Sequence, residues 1–503
     1  MAEFEIDDGA LVYALTEDNE IKKILANEKN NLLSDIEIEY PLDLETQELL
    51  KKLLPDDKNE FDYLQEQELK SLWIKVIDKS IKCLRYFDER EPFLLNAKKK
   101  PITYNLKELE SYQKQYAEFE GALYGTTPYY RDHVFHSVRT WLLGLFCLLN
   151  KMNDNSKPLI YFLRIDGAKD DDKFMQNINF FERISIWSIA ALCHDLGYPL
   201  EKSRKILSKT QSMMKNFIPN PNIWDNFAFN GVEDSINDYI IKFMSTKLNE
   251  ANNSTEKHFL GRIQPKYYLK YTKSLEHFDH GIISSVILYK MLLYFMESDF
   301  NLNDDYEYEE KNARQFYIRR EILRAMASHT CFDIYNIYIT TFSSILFICD
   351  ELQEWGRKTW SELYSGQENS SIKLTINDFS ENCIDYKENI LIKSNNKESI
   401  IKECFYKFLT CQYERYKMIF RDGQKTVNRQ FSLHKHIELK LEKKSANKKK
   451  ILIDYWLNNK GEDKFIFDFS SFIEASDEHL SASIKQLYEE SDYSSEIELK
   501  LVK

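Results

Sequence analysis

The sequence predicts a mainly α-helical protein whose helical core is followed by a C-terminal α+β domain. Three observations lead to this prediction. The 503 residues include only 13 glycines and 10 prolines, and a chain so poor in turn residues favours long helices. Apolar residues recur at helical spacing through most of the first 360 positions. After about residue 365 they begin to alternate, which is typical of strands.

The length of the chain implies more than one domain. A single hydrophobic core rarely serves 503 residues, so two or three domains are expected. Changes in composition and periodicity fall near residues 125 and 365. We therefore expect a helical N-terminal extension over residues 1–125, a helical central domain over 126–365 and an α+β domain over 366–503.

Apolar periodicity predicts the helices in order along the chain. In the extension, Leu49, Leu50, Leu53 and Leu54 share one helix face. The central region contains five strongly apolar segments, and we expect one helix for each. Their predicted ranges are 133–151, 181–194, 280–294, 319–328 and 341–356.

The region after residue 365 predicts a β-β-α-β-β-like pattern, with two strands before one helix and further strands after it. Strands are expected around residues 372–376, 390–392, 436–441, 451–456 and 465–469, and one long helix over 398–420. The stretch 421–450 is locally basic. It predicts either a surface for an anionic effector or an acidic partner, or a solvated charged face. A homo-oligomeric or regulatory contact through this domain is therefore expected. The acidic tail after residue 473 is expected to be loosely ordered.

Charge excludes one class of partner. The chain carries 68 basic and 81 acidic residues, a net charge of −13. Such a protein repels phosphate backbones, so extended duplex nucleic acid is not an expected ligand. A small anionic ligand stays open, because a bound cation can reverse the local field.

Cysteine usage and the N-terminus predict a cytoplasmic protein without a membrane partner. The eight cysteines form no CxxC pair, and Cys147, Cys193 and Cys349 lie within apolar runs. We interpret these three as buried thiols in a reducing compartment. The first residues are acidic, unlike a signal peptide. No apolar run is long enough to span a bilayer.

Polar residues capable of binding metal interrupt the apolar helices. His194 and Asp195 close one helix in ALCHDLGYP. Imidazole and carboxylate are typical ligands of first-row metals. Four further candidates occupy the starts, the ends or the interior of other apolar segments: His136, His280, His329 and Asp350.

Each of these residues also has an ordinary structural interpretation. A histidine in a helix is often a satisfied core residue, and the dyad is a plausible polar helix end. Asp350 follows an apolar run, where a carboxylate is costly without a partner, and Arg139 or Arg324 would supply a salt bridge. Five helices that each contribute a metal-binding group nevertheless favour one shared metal site.

The pattern resembles that of the HD-domain phosphohydrolase superfamily. The order His136, His194-Asp195, Asp350 matches the H…HD…D signature of that superfamily, in the contexts HSVRTWLLG, HDLGYP and ICDELQEWGR. Members with two metals carry two further histidines between the dyad and the last aspartate. The segments DHGIISSVIL and ASHT correspond to these and point to His280 and His329. The resemblance covers roughly residues 125–360.

The resemblance implies an all-helical catalytic core that hydrolyses a phosphate ester or anhydride, most readily in a nucleotide. It implies two divalent ions, from Mn, Mg, Fe, Co or Ni, held by the six residues above. Asp195, His194 and His133 are the expected catalytic residues, with His133 as a supporting group or proton donor. The residues expected to bind substrate phosphate are Arg131, Lys202, Arg357 and Tyr198.

Several functions fit the pattern. A phosphodiesterase or nucleotidase leads, because six ligands suggest two metals. A triphosphohydrolase acting on deoxynucleotides, with a possible role in nucleotide-depleting defence, is second. The sequence departs from that branch after the dyad, where Tyr198 and Leu200 occupy the region in which the branch has a further His. It also departs from the branch that degrades cyclic dinucleotides, because LGYP here directly follows the dyad and is not that branch's separate GYP motif. A second class of function is a di-iron oxygenase of the same fold, which would use the same six ligands. A third class is a ligand-sensing module that keeps the site only for binding.

Overall fold

Helices dominate the parts of the chain that the computed structural model describes. Those parts are residues 5–32, 38–54, 60–61, 65–90, 101–124, 132–150, 157–165, 178–216, 232–251, 258–298, 300–301, 306–331, 334, 340–357, 370–380, 383–393, 430–441, 449–460, 465–468, 478–490 and 497–500. The prediction of a mainly helical protein is confirmed. The division into three domains stays a prediction.

The N-terminal extension is helical and packs directly on the central helices. Its elements are strand β1 (Glu5–Ile6) and helices α1 (Asp8–Glu17), α2 (Asn19–Leu32), α3 (Leu44–Lys52), α4 (Glu66–Tyr86) and α5 (Leu106–Tyr124). Asp7 and Asp43 cap α1 and α3 by accepting from backbone amides. The indole of Trp73 donates to the Leu192 carbonyl at 2.7 Å. Buried residues of the extension and of the central region thus form one hydrophobic cluster.

The central region contains a helix at each of the five predicted positions. Its helices are α6 (Val134–Leu149), α7 (Phe180–Cys193), α8 (Tyr198–Met214), α9 (Val232–Ser245), α10 (Pro265–Glu276), α11 (His280–Met291), α12 (Leu293–Met296), α13 (Glu310–Ser328) and α14 (Phe342–Leu352), with a short 3-10 helix at Leu159–Phe162. Cys147, Cys193 and Cys349 are buried free thiols, as predicted.

Helix α13 begins nine residues before the predicted start at 319. Its first half is rich in charged residues, which normally mark a surface. Here Arg319 and Arg320 are fully buried, because they donate to the backbone carbonyls of Tyr294 and Thr246 at 2.6 and 2.8 Å. Tertiary hydrogen bonds therefore replace water around these guanidinium groups.

Two sheets complete the described structure. The smaller one, which the sequence did not predict, has the order β2 (Thr246–Glu250), β3 (His258–Ile263), β4 (Glu307–Glu309) and is antiparallel. The larger has the order β1-β5-β6-β7-β8-β9-β10. Its other strands are β5 (Ser370–Phe379), β6 (Cys383–Lys393), β7 (Gln430–Leu441), β8 (Lys449–Lys460), β9 (Phe465–Asp468) and β10 (Ile497–Lys500).

The larger sheet is mixed, with strands at all five predicted positions. Neighbouring strands are antiparallel except for the β6–β7 and β9–β10 pairs. The predicted helix over 398–420 lies outside the described residues, as does most of the basic stretch 421–450. The expectation of a loose tail is wrong for residues 478–489, which form helix α15 with Ile484 buried. The amphipathic spacing of Ile484, Leu487 and Tyr488 explains this packing.

Candidate metal centre

Six side chains from the ends of five helices meet in the core. The helix ends converge because buried apolar faces of α6, α7, α13 and α14 pack together. The six residues lie in the first turn of α6 (His136), just beyond α7 (His194 and Asp195), at the start of α11 (His280), just beyond α13 (His329) and near the end of α14 (Asp350).

Asp195 lies between two groups of imidazoles. Its Oδ2 atom is 3.2 Å from Nε2 of His194 and 3.8 Å from Nε2 of His136. Its Oδ1 atom is 3.3 Å from Nε2 of His280 and 3.7 Å from Nε2 of His329. The two oxygens of one carboxylate thus face two different pairs of ring nitrogens.

Asp350 completes one side of this arrangement. Its Oδ1 atom is 2.8 Å from Nε2 of His136 and 3.6 Å from Nε2 of His194. Two overlapping triads have donor atoms within 4.8 Å of one another: His136, His194 and Asp350, and His194, Asp195 and His329. These buried groups could hold a metal ion.

Each of the four imidazoles is fixed with Nε2 toward the centre, because its Nδ1 atom has an oxygen partner elsewhere. An oxygen acceptor requires a proton on Nδ1, so in the neutral ring the lone pair is on Nε2. The Nδ1 partners are the Gln353 amide oxygen for His136, the Ala191 carbonyl for His194, the Glu201 carboxylate for His280 and the Met326 carbonyl for His329. This is the support that metal-binding histidines usually have.

The electrostatics of the cluster favour positive charge at its centre, because Asp195 and Asp350 outweigh burial and raise the pKa of His194 to about 10. The Nε2 atom of His194 is buried and has no hydrogen-bond partner. Burial works against charge on Asp195, but the imidazoles of His194, His329 and His280 outweigh it and hold the pKa of this carboxyl well below its usual range. Burial lowers the pKa of His329 to about 4, so this ring is neutral and can donate its lone pair. These donors fit a divalent cation.

The centre opens to solvent on one side. The side chains of His280, Glu201 and Asp350 are 20, 18 and 15% exposed, whereas that of His194 is fully buried. A ligand therefore approaches past the starts of α8 and α11 and the end of α14.

Tyr198 and Lys202, two of the predicted phosphate-binding residues, lie beside this opening. Lys202 Nζ is 4.4 Å from the centroid of the Tyr198 ring and 3.8 Å from Glu201 Oε1. The centroids of the Tyr198 and His133 rings are 3.6 Å apart. The Tyr198 ring thus contacts the side chains of Lys202 and His133 and also the imidazole of His280, whose centroid is 5.5 Å away.

His133 is the residue directly before α6. Its backbone amide donates to Glu120, and its Nδ1 atom is 3.2 Å from the same carboxylate oxygen. Burial lowers its pKa well below the usual value, with Arg357 acting in the same direction and Asp195 against it. His133 thus lies within electrostatic range of the centre and is anchored to α5.

Arg357 follows Asp350 by seven residues and belongs to the same electrostatic environment. Burial opposes its charge, but Glu354, Asp132 and Asp350 outweigh burial and raise its pKa. Its Nε atom is buried without a hydrogen-bond partner. Arg131, the fourth predicted phosphate-binding residue, lies outside the described residues.

Sequence reasoning missed the residues that support the histidines. Gln353 lies three positions after Asp350, and helical spacing alone would have placed it on the same face. Glu201 follows Asp195 by six residues across a turn, and Glu120 lies on another helix, so no local pattern indicates either. Arg139, a proposed partner of Asp350, donates instead to Asp8 at 2.8 Å. Arg324 donates to the Met244 carbonyl.

Gly281 permits the close approach of α11 and α13. A Cβ atom at this position would lie 2.5 Å from the Met326 carbonyl oxygen and 2.8 Å from Cε1 of His329. The missing side chain lets the Nε2 atoms of His280 and His329 come within 3.1 Å of each other.

Comparison of the chain with protein-family models, with curated proteins and with solved structures gives no match. Among the described residues, no helix combines the length and apolar character required to cross a membrane.

Proposed function

We propose that the protein is a metal-dependent phosphohydrolase of the HD type, cleaving a phosphate ester or anhydride bond in a nucleotide. The observation that carries the proposal is the position of Asp195 between two pairs of imidazoles, each with its Nε2 atom toward the carboxylate. This donor set matches the ligand pattern of the family that the sequence resembles.

The donors divide naturally between two ions. His136, His194, Asp350 and Oδ2 of Asp195 would hold the first. His280, His329 and Oδ1 of Asp195 would hold the second. The second set supplies only three protein atoms and includes His280, whose side chain is the most exposed of the six at 20%. Metal sites with open positions are the ones that bind water and substrate.

Two divalent ions in these positions would lower the pKa of water and neutralise charge on the phosphoryl oxygens. The residues of the chain then have distinct tasks. Asp195 aligns the two ligand sets. Lys202 and the Tyr198 hydroxyl lie at the opening, where they bind phosphate oxygens of the substrate. His133, anchored by Glu120, exchanges a proton with the reacting oxygens.

The cationic neighbours favour phosphate chemistry over the oxygenase alternative. Arg357 lies within the electrostatic reach of Asp350 and Asp195 and has a buried nitrogen without a hydrogen-bond partner. Such a group suits a phosphate oxygen, for which guanidinium is a preferred donor. Oxygen-dependent cleavage has no comparable need for a guanidinium group in the electrostatic environment of the ligands.

The test is a substrate panel. Metal-free protein is reloaded with Mn²⁺ and incubated with mononucleotides, deoxynucleoside triphosphates and cyclic dinucleotides, with Asp195→Ala as the control. Release of phosphate, triphosphate or linear dinucleotide by the wild type alone supports the proposal. Turnover that instead requires iron and oxygen would identify the oxygenase. Metal binding without any turnover would favour the ligand-sensing module.

A further inference from the structure

The N-terminal segment contains a fully buried carboxylate, Asp8. Its Oδ2 atom accepts from Nη2 of Arg139 at 2.8 Å and from the backbone amide of Phe61 at 2.9 Å. Its Oδ1 atom accepts from Nε of Arg139 and from Nε1 of Trp355 at 2.9 and 3.0 Å. A carboxylate with this many donors and no solvent exposure is held rigidly.

Arg139 connects Asp8 to the helix that carries His136. It lies three residues after His136 on α6, about one turn away. Its Nη1 atom donates to the Gly356 carbonyl at 3.1 Å. Gly356 has a φ of +65°, and a Cβ atom there would meet the guanidinium at 2.8 Å, so only glycine suits this contact. Arg139 thus joins α6 to the segment that follows Asp350.

Trp355 provides a second connection from Asp8 to the same histidine. The Trp355 carbonyl accepts from Nε2 of Gln353 at 2.8 Å. That bond fixes the orientation of the amide, so its oxygen faces Nδ1 of His136. The chain of contacts Asp8, Trp355, Gln353, His136 therefore sets which nitrogen of His136 carries the proton.

The far side of Asp8 is held by the C-terminal sheet. Ile6, two residues earlier, pairs with Leu374 of β5. Both residues are buried, at 1% relative exposure. The segment Glu5–Asp8 consequently runs from the edge strand of that sheet to the support of the metal centre.

We infer that Asp8 and Arg139 are a positioning pair for the metal centre, although Asp8 lies far outside the part of the sequence that resembles a hydrolase. The pair holds His136 and the Asp350–Arg357 segment in the geometry that binds the first ion. The inference rests on the proposed function only for the presence of a metal site.

The test measures Mn²⁺ affinity and the Co²⁺ absorption spectrum of the folded full-length protein. Asp8→Asn should weaken Mn²⁺ binding by about tenfold or more, the usual effect of losing a supporting partner, and should change the Co²⁺ spectrum. Trp355→Phe removes only one donor to Asp8 and should give a smaller change in the same direction. If Asp8→Asn does not fold, the Mn²⁺ affinity and the Co²⁺ spectrum of Trp355→Phe test the inference.

Glu182→Gln is the matched control. Glu182 pairs with Arg314 and is fully buried, but it lies roughly 18 Å along α7 from His194. It should lower the unfolding temperature and leave Mn²⁺ affinity and the Co²⁺ spectrum unchanged. Folded Asp8→Asn and Trp355→Phe proteins with wild-type affinity and spectrum would overturn the inference alone. A wild type that binds no divalent ion would overturn the proposed function as well.

Discussion

The Nε2 atoms of His280 and His329 lie 3.1 Å apart, and both rings have their Nδ1 proton committed to an oxygen, in Glu201 and in the Met326 carbonyl. Two lone pairs therefore face each other. A cation bound by both nitrogens removes this repulsion, and Oδ1 of Asp195 lies within 3.7 Å of each. This relationship is the strongest structural argument for a second ion.

Two divalent ions per chain are expected in wild-type protein loaded with excess Mn²⁺ and desalted. His280→Ala and His329→Ala should each reduce the stoichiometry toward one, because they remove ligands of the second set only. Elemental analysis measures the count. One ion in all three proteins would reject the two-metal arrangement and favour the triphosphohydrolase alternative.

Asp195→Ala should lower phosphate-ester hydrolysis by at least about a hundredfold, since it removes one ligand from each set. The fold should persist, because the lost carboxylate faces imidazoles and carries no packing role. Circular dichroism checks that the variant keeps its fold, and steady-state kinetics measures the loss of hydrolysis. A folded variant with near-normal turnover would show that the centre is not catalytic.

Gly281→Ala should selectively weaken the second ion. The added methyl group meets the Met326 carbonyl and the His329 ring, so α11 must move away from α13 and His280 must move with it. Gly261→Ala is the control, because its Cβ atom would meet its nearest neighbours at 3.4 to 3.5 Å, ordinary contact distances. Equal metal content in both variants would contradict this account.

Glu201 is the only carboxylate among the Nδ1 partners of the four imidazoles, and Glu201→Gln tests its effect on metal binding by His280. A carboxylate makes the opposite ring nitrogen a better donor. Replacing it with an amide should weaken binding of the second ion by about tenfold and leave the first ion in place. Isothermal titration with Mn²⁺ resolves the two steps. Loss of both ions together would indicate a general disturbance of α8 instead.

Arg357→Gln should reduce kcat/KM for a phosphate substrate by about 10- to 100-fold, the range for losing one hydrogen bond to a charged group. Metal stoichiometry should stay at the wild-type value, because no ligand atom is removed. Lys242→Gln, which breaks a surface pair with Asp238, is the control. An Arg357 variant with wild-type kinetics would exclude this residue from substrate binding.

The sequence predicted the residues that meet at the centre better than the residues that hold them. His136, His194 and Asp350 stand out because a polar group within an apolar helix violates the local pattern. Asp8 does not stand out in this way, because it lies in an acidic N-terminal segment where a carboxylate looks like a surface residue. Its burial depends on Arg139 and Trp355, and contacts over such separations leave no periodic signal.

The same limit explains the errors in the fold. Residues 310–320 carry a charge pattern that indicates surface, yet Arg319 and Arg320 are fully buried and donate to backbone carbonyls. Strands β2 and β3 lack the alternation that predicts a half-buried strand, and they form because they pair with each other. Strand β1 has two residues and is defined only by its partner β5.

The Asp8–Trp355 hydrogen bond joins residues 347 positions apart, and this separation has a consequence during synthesis. A ribosome releases Asp8 long before Trp355 exists, so the carboxylate can meet Phe61 and Arg139 early but gains its last donor only after residue 355 has emerged. Contacts of such high sequence separation form late and slow the search for the native state. If the centre binds metal as proposed, a nascent chain stalled before residue 355 should therefore bind it only weakly.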